Sequence, residues 1–318
     1  MAAMKTRLTL ALLLAFPLIA RADWPARVFA PYMYVGDGDN FKLTACDDAC
    51  GQKYFTLAFI IAKQEGRGKE VKYLKEPSWD GRVPIEQSFY LDQIEAIRKR
   101  GGDVIMSFGG EAGRELAIVE EDPIALEKAY QSIIDRYKFT WLDFDIEGGN
   151  LEKNPQASER RNAVLAELQK KNPGLIISYT LPVDPNGISK ASQALLADAK
   201  AKGVKVHSAN LMVMFFGKQF INKGKSEGEL GIESARKAYE QIQEIDPTIQ
   251  IGLCPCLGRN GSKDEVFTLA DAKTLKAFAD ETPWVCSLHF WSINDDGKAK
   301  DPTAKPWALT GVFQSFTR

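Results

Sequence analysis

The strongest constraint on the fold of this chain is a repeated alternation of short β-type runs with amphipathic helical patterns. The runs are rich in β-branched and aromatic residues and are separated by Gly, Pro or Asn. The predicted strands are Val28–Tyr34, Tyr54–Ala62, Asp103–Phe108, Phe139–Glu147, Leu175–Leu181, Ala209–Phe215, Ile249–Leu253 and Val285–Trp291. Because strands joined by helical crossovers pair in parallel, eight such units predict an α/β protein with a closed (β/α)8 TIM barrel.

The helical patterns between these strands have clear start and stop signals. In Pro123–Tyr137, Asp122 precedes a proline at the first helical position, and apolar residues recur at a spacing of four. The other predicted helices are Glu86–Arg100, Ser158–Lys171, Ala191–Lys202, Glu229–Ile245 and Asp271–Asp280. Lys63–Val83 and Lys218–Glu229 are predicted as surface loops. A doubly wound sheet is the competing architecture, but no G-x-G-x-x-G turn follows an early strand.

The first residues have the pattern of a secretory signal peptide. Lys5 and Arg7 precede the apolar run Leu8–Ala20, and Ala20-Arg21-Ala22 forms a small-x-small cleavage sequence before Asp23. The apolar run is shorter than the roughly 20 residues of a membrane span, and a proline interrupts it. We therefore predict a signal peptide over residues 1–22, one catalytic domain over residues 23–318, and export to the periplasm or the outside of the cell.

The charge balance argues for a neutral substrate. The chain has 41 Lys and Arg residues against 42 Asp and Glu residues, for a net charge of -1. A nucleic-acid partner would require a clustered basic face, which interspersed charges of both signs do not supply. We expect no nucleic-acid partner, no membrane association after signal cleavage, and a monomeric protein.

The five cysteines leave several pairings open. In an exported chain they could form two disulfides and leave one thiol, and the short spacing of Cys46 and Cys50 suggests a small disulfide clip. A zinc site is disfavoured because the two histidines, His207 and His289, are far apart in the sequence and no second close Cys/His pair exists. We predict structural roles for both histidines and expect neither a metal nor a cofactor.

The fourth predicted strand carries the residues that point to chemistry. Side chains alternate faces along a strand, so Asp143, Asp145 and Glu147 share one face and the apolar residues between them share the other. In a barrel the acidic face would point toward the axis, where charges are costly unless they form hydrogen bonds or share protons. Glu147 would lie nearest the carboxyl end of the barrel, where active sites of this fold are found. The Gly148-Gly149 pair that follows leaves this acid accessible to a bulky substrate.

Several segments together resemble the secreted bacterial branch of the family 18 glycoside hydrolases, the chitinases and their relatives. Ser107-Phe-Gly109-Gly110 matches the family's S-x-G-G, and Asp143-Phe-Asp145-Ile-Glu147 matches the core of its D-x-x-D-x-D-x-E. The later matching segments, in order, are Tyr179-Thr-Leu-Pro182, Glu265-Val-Phe-Thr-Leu-Ala-Asp271-Ala and Phe290-Trp291-Ser-Ile-Asn294. The similarity covers nearly all of the chain after the signal peptide.

The resemblance implies retaining hydrolysis of β-1,4-linked N-acetylglucosamine, in which the acetamido oxygen of the sugar is the nucleophile. On this mapping Glu147 protonates the leaving oxygen, Asp145 orients the acetamido group, and Asp143 tunes Asp145. Trp291 would form the floor under the reacting sugar. The other predicted substrate contacts are Tyr32, Phe59, Met212 and Met214.

Two positions depart from the family pattern. Thr140 replaces the first Asp of the long acidic motif, at the position most remote from the bond that is cleaved. In Met212-Val-Met214-Phe215-Phe216-Gly217, two phenylalanines replace the Asp-Tyr of the family's M-x-M-D-Y-G. The second departure leaves two alternatives to a chitinase open, an endo-β-N-acetylglucosaminidase that cleaves N-glycans and a non-hydrolytic glycan-binding protein on the same barrel.

Overall fold

Eight parallel strands form a closed barrel in the computed structural model, which describes residues 24–37, 41–66, 68–221, 224–299 and 304–318. The predicted signal peptide lies outside the described residues. The first strand, β1, consists of two short segments, Val28–Phe29 and Tyr32–Tyr34. The others are β2 (Tyr54–Glu65), β3 (Asp103–Gly109), β4 (Trp141–Asp145), β5 (Ile176–Asp184), β6 (Val206–Met212), β7 (Gln250–Cys254) and β8 (Val285–Leu288).

Strand β1 closes the barrel because its two segments pair with different neighbours. Val28 and Phe29 are aligned with Ser287 and Leu288 of β8 in parallel. Tyr32–Tyr34 runs parallel to β2. The remaining strands follow one another in chain order around the sheet. The predicted TIM barrel is therefore confirmed.

Helices surround the barrel between successive strands. Their bounds are Leu43–Cys50 (α1), Leu91–Lys99 (α2), Leu116–Val119 (α3), Pro123–Tyr137 (α4), Gly148–Glu152 (α5), Pro155–Lys171 (α6), Lys190–Ala201 (α7), Lys218–Ile221 (α8), Glu227–Ile245 (α9), Leu269–Glu281 (α10), Ile293–Gly297 (α11) and Ala308–Phe313 (α12). Helix α4 has the predicted bounds, and the Asp122 side chain accepts a hydrogen bond from the Ile124 backbone amide at 2.9 Å. Among the described residues, we find no helix with the length and apolarity that a membrane crossing requires.

Several predicted boundaries were wrong at the carboxyl ends of strands. Strand β4 ends at Asp145, and Glu147 lies in extended backbone at the N-cap of α5. Strand β6 ends at Met212 rather than Phe215, and β8 ends at Leu288 rather than Trp291. The chain continues past each strand end into the mouth of the barrel, where isolated inter-strand hydrogen bonds persist, such as those from the Ile146 amide to the Thr180 carbonyl and from the Trp291 amide to the Pro255 carbonyl, although the regular ladder has ended.

The segment predicted as the surface loop Lys63–Val83 contains β-structure instead. Strand β2 continues to Glu65, and Lys72–Trp79 returns antiparallel to it before a short strand, Val83–Pro84. The predicted helix Glu86–Arg100 is also interrupted. A 3-10 turn, Ile85–Gln87, precedes α2, and Ser88 and Tyr90 between them have positive φ angles of 54° and 63°.

The inward-facing side chains of the barrel form layers along its axis. The bottom layer is apolar and contains Val28, Ala30, Ile105 and Trp141. The next inward positions carry the polar residues Thr56, Ser107, Asp143 and Ser178, all buried. The apolar side chains between the acids of β4, Leu142, Phe144 and Ile146, belong to the outer core beneath the helices. The alternation predicted for this strand is confirmed, and it puts polar groups at the axis.

A buried ion pair links the outer helices to the barrel. Arg161 and Glu115 are both fully buried, and the guanidinium donates to one carboxylate oxygen at 2.8 and 3.0 Å. Glu115 also accepts from the Ala117 amide at the start of α3, and Tyr130 donates to its other oxygen. The carboxylate therefore connects α3, α4 and α6.

The predicted Cys46–Cys50 disulfide is wrong, because neither residue forms a disulfide in the structure. Both residues lie on α1, where the Cys50 thiol donates to the Cys46 carbonyl at 3.0 Å. The Cys50 thiol therefore donates to the carbonyl one helical turn earlier instead of bonding to the Cys46 sulfur. Cys254, Cys256 and Cys286 are buried.

Replacing Glu115 with alanine is expected to lower the free energy of unfolding by about 3–5 kcal/mol, because Arg161 would remain buried without its partner. Glu240→Ala removes the exposed pair with Lys237 and should cost less than about 1 kcal/mol. Urea denaturation of both variants measures the difference, and equal losses in the two would contradict the importance of the buried pair.

Candidate active site

Asp143 is the centre of a hydrogen-bond network on the barrel axis. Its carboxylate accepts from Ser178 Oγ and Ser107 Oγ at 2.7 Å each and from Tyr32 Oη at 2.9 Å. Thr180 Oγ1 lies 3.0 Å from both carboxylate oxygens. Burial raises the pKa of Asp143, and these hydroxyl donors oppose the shift because they stabilise the charged form. Four neighbouring hydroxyls thus compensate for water that the barrel excludes.

Each of the three specified residues of the S-x-G-G motif has its own structural role. Ser107 supplies a donor to Asp143, as described above. A side chain at Gly109 would put its Cβ only 2.2 Å from the Asp145 carbonyl oxygen, and one at Gly110 would meet the Phe59 ring at 2.7 Å. The two glycines also have φ angles of 101° and 84°. Glycine is therefore needed at both positions for β3 to approach β4 and for the Phe59 ring to occupy its place.

Asp145 and Glu147 form a coupled acidic pair above this network. Burial, followed by the charges of Glu147 and Asp143, raises the pKa of Asp145 well above its ordinary value. Burial and the charge of Glu111 raise the pKa of Glu147 to about 7, whereas a hydrogen bond from Asp145 lowers it. The other oxygen of Asp145, Oδ1, is buried and has no hydrogen-bond partner among the described residues. The pair therefore retains a proton near neutral pH and leaves one polar atom unused.

Aromatic side chains form a wall beside these acids. The Phe59 and Trp291 rings are stacked at a centroid distance of 5.6 Å and an interplanar angle of 13°. Tyr32 and Tyr34 contact Trp291 at centroid distances of 5.8 and 5.7 Å. Trp291 and Cys256 pair through their backbones in a single parallel β-bridge, which holds the segment after β8 beside the segment after β7. Because β8 is four strands from β4 in either direction around the barrel, Trp291 and Glu147 approach the mouth from opposite sides.

These residues surround one cavity of about 330 Å³ at the carboxyl end of the barrel. The predicted site residues that line it are Tyr32, Phe59, Asp145, Glu147, Met212, Met214 and Trp291. Asp143 lies beneath the cavity and contacts it through Tyr32 and Thr180. The structure thus brings together all the catalytic and substrate-contact residues that were predicted from the sequence.

Several residues that line the cavity were not among the site residues predicted from the sequence. The additional lining residues are Glu111, Thr180, Phe215, Cys254, Cys256, Arg259, Asn260 and Gly261. Thr180 could have been found from strand alternation, because Ser178 and Thr180 occupy successive inward positions on β5. Glu111 directly follows the S-x-G-G motif, and no other feature of the sequence indicates that it lines the site. Arg259 and Asn260 lie in or beside the small antiparallel hairpin of Gly258–Arg259 with Val266–Phe267, which the sequence did not predict.

The two phenylalanines that depart from the family pattern occupy different environments. Phe216 is buried in the outer core. Phe215 lines the cavity and is 55% exposed. Thr140, the other departure, lies at the opposite end of β4, where its hydroxyl accepts from the Trp24 indole at 2.7 Å.

The histidines are remote from the acidic pair. His289 is buried, its Nδ1 lies 2.7 Å from the Ala30 carbonyl oxygen, and burial lowers its pKa to about 4. His207 packs edge-on against Trp141 at the bottom of the barrel. Within the described ranges, no group of three or more His, Cys, Asp or Glu residues has an arrangement that could hold a metal ion.

Similar proteins were found among curated sequences, although no protein-family model matches the chain. A probable bifunctional chitinase/lysozyme of Escherichia coli K12 is 29% identical over 93% of this chain and 35% of that protein. Endochitinase 11 of Metarhizium anisopliae is 29% identical over 86% of this chain and 53% of that protein. The chain therefore spans about a third and about half of the length of these two relatives.

A solved structure matches the chain over nearly its whole length. Active domain 2 of a chitinase from Pyrococcus furiosus is 30% identical, with a TM-score of 0.78, and the match covers 93% of this chain and 96% of that one. This likeness includes both the barrel and the sequence, and it agrees with the motifs on β3 and β4. The chain belongs to family 18 of the glycoside hydrolases.

Proposed function

We propose that this protein is an exported chitinase that hydrolyses β-1,4 linkages between N-acetylglucosamine residues, with retention of configuration at the anomeric carbon. The observation that carries the proposal is the coupled Asp145–Glu147 pair, with one free carboxyl oxygen, at the edge of an aromatic-walled cavity. The names of the similar proteins support chitin as the substrate, and the N-terminal pattern of residues 1–22 supports export.

Glu147 is the general acid in this proposal. A carboxyl group with a pKa of about 7 keeps a substantial protonated fraction at neutral pH and can transfer that proton to the glycosidic oxygen. Glu147 lies beyond the end of β4 at the mouth of the barrel, next to two glycines, so a polysaccharide can reach it. The same group would later take a proton from the attacking water.

Asp145 positions the nucleophile, which belongs to the substrate. Its free Oδ1 can accept the acetamido N–H, and this contact directs the acetamido carbonyl oxygen toward the anomeric carbon. Accepting that hydrogen bond favours ionised Asp145, so the shared proton moves to Glu147 as substrate binds. The bond from the anomeric carbon to the leaving oxygen breaks as the acetamido oxygen bonds to that carbon, and ionised Asp145 stabilises the resulting oxazolinium cation. Water then reopens the ring, and two inversions give net retention.

Trp291, Tyr32 and Phe59 supply the sugar-binding surface. Stacked Phe59 and Trp291 rings offer an apolar face to the C–H groups of a pyranose, which hydrogen-bonding groups alone cannot recognise. Met212 and Met214 fill the floor of the cavity beside Cys254 with side chains that adapt to irregular shapes. Asp143 fixes Tyr32 from below through their 2.9 Å hydrogen bond.

Glu147→Gln is expected to lower the rate of chitin oligosaccharide hydrolysis by roughly 100- to 10,000-fold, because the amide has no proton to transfer. Glu152→Gln makes the same change at an exposed residue of α5 and should leave the rate unchanged. Product analysis from chitin tetrasaccharide measures both variants. A Glu147→Gln enzyme that turns over at the original rate would refute the assigned acid.

The rate should decline as the pH rises above about 7, because Glu147 then loses the proton that it must donate. Glu111→Gln removes a negative charge that raises the pKa of Glu147, so the alkaline limb should move to lower pH. Glu159→Gln alters an exposed acid on α6 and serves as the control. The measurement is kcat/KM against pH for the three enzymes, and an unmoved limb in Glu111→Gln would contradict the electrostatic coupling.

Hydrolysis should require the acetamido group of the substrate. Chitin tetrasaccharide should be cleaved, whereas the glucose tetrasaccharide with the same β-1,4 linkages should not be cleaved at a measurable rate. Equal rates on the two substrates would exclude substrate assistance. Release of N-glycans from a high-mannose glycoprotein, without cleavage of chitin oligosaccharides, would favour the endo-β-N-acetylglucosaminidase alternative. Binding of chitin oligosaccharides without turnover would favour the glycan-binding alternative.

A further inference from the structure

Phe215 combines three features that are individually uncommon. Its side chain is 55% exposed, although it is large and apolar. It lines the catalytic cavity. Its backbone has a φ angle of 54°, in the left-handed region that bulky residues rarely adopt. Exposure and strain at a cavity together indicate a residue that is held in place for contact with a ligand.

The strained backbone is held by two polar side chains from the seventh unit of the barrel. The Phe215 amide donates to Asn260 Oδ1 at 3.1 Å. Two residues later, the Gly217 amide donates to Glu265 Oε1 at 3.0 Å. Left-handed backbone is strained at a non-glycine residue, so it persists only where such contacts compensate for the strain.

Asn260 is itself fixed by buried groups. It is 4% exposed, and its Nδ2 donates to Glu227 Oε2 at 3.0 Å and to the Gly258 carbonyl at 3.2 Å. Glu227 is also buried, at the start of α9. The orientation of Phe215 is therefore coupled to the outer layer of the barrel rather than to a free loop.

The barrel topology places Phe215 across the mouth of the barrel from Phe59. Phe215 follows β6, Phe59 lies on β2, and these strands are four positions apart in either direction around the closed sheet. The Phe59 ring stacks on Trp291 on its side of the cavity. A sugar in the cavity would then have Phe215 on one side and Phe59 on the other, and Trp291 follows β8, two strands from β6.

We propose that Phe215 is a specificity-determining residue that contacts a sugar ring by stacking, at the position where the pattern M-x-M-D-Y-G has an aspartate. This inference rests on the proposed function. A phenyl ring offers neither donor nor acceptor, so it selects for an apolar face. All ring substituents of β-linked N-acetylglucosamine are equatorial, which leaves continuous C–H faces, whereas mannose has an axial hydroxyl. The residue therefore favours chitin oligosaccharides over mannose-rich glycans.

The test compares Phe215→Ala, Phe215→Tyr and Phe215→Asp, with Ile124→Ala as the control at an exposed apolar residue on α4. The dissociation constant for chitin tetrasaccharide is measured by calorimetry in the Glu147→Gln background, and KM and kcat are measured without it. Alanine and aspartate should weaken binding roughly 5- to 10-fold, and tyrosine should restore it to within about twofold. The control should bind as the parent does.

Asn260→Ala tests the positioning of the ring. It should raise KM by a similar factor, and this effect should disappear when Phe215 is already alanine, because the two changes then act on one contact. A merely structural role of Asn260 would instead give additive effects in the double variant.

The outcomes separate the inference from the proposed function. Equal binding of chitin tetrasaccharide by the parent enzyme and by Phe215→Ala would overturn the inference and leave the chitinase proposal intact. Tighter binding by Phe215→Asp would do the same, since it would show that the acidic residue serves this substrate better. A parent enzyme that neither binds nor cleaves chitin oligosaccharides would overturn both.

Discussion

The site depends on the solvation of one buried carboxylate, Asp143, by protein hydroxyl groups. A charge on the axis of a barrel has no water around it, and without donors the acid would be protonated or the strand would be unstable. Tyr32, Ser107, Ser178 and Thr180 come from three different strands, β1, β3 and β5, so the network forms only when the barrel is closed. The charge and the closure of the barrel therefore support each other.

The network below determines the chemistry of the pair above. Burial raises the pKa of Asp145 most, and the neighbouring carboxyl groups of Glu147 and then Asp143 raise it further. Glu147 lies at the mouth, where burial is smaller, and its pKa rises only to about 7. The carboxyl groups of Asp145 and Glu147 thus lie at different depths along the barrel axis, and the shallower one has a pKa of about 7. A general acid that operates near neutral pH needs a raised pKa of this kind.

Backbone that only glycine tolerates, or that is strained, lies at the edges of this arrangement. Gly109 and Gly110 permit β3 to approach β4 and permit the Phe59 ring to occupy the cavity wall. Phe215 has a similar left-handed conformation without being glycine, and Asn260 and Glu265 hold it.

The sequence by itself determined the architecture and the acidic strand, because both depend on local periodicity. Eight β-type runs with helices between them allow few closed arrangements, and alternation along Trp141–Glu147 fixed which residues face the axis. Tertiary structure alone decided the ends of the strands, the β-structure within Lys63–Val83, and the positions of Glu111, Phe215 and Asn260 around the cavity. Those features arise from contacts between segments that are far apart in the chain, such as Phe215 with Asn260, and no local pattern encodes a hydrogen bond that forms only after the barrel has closed.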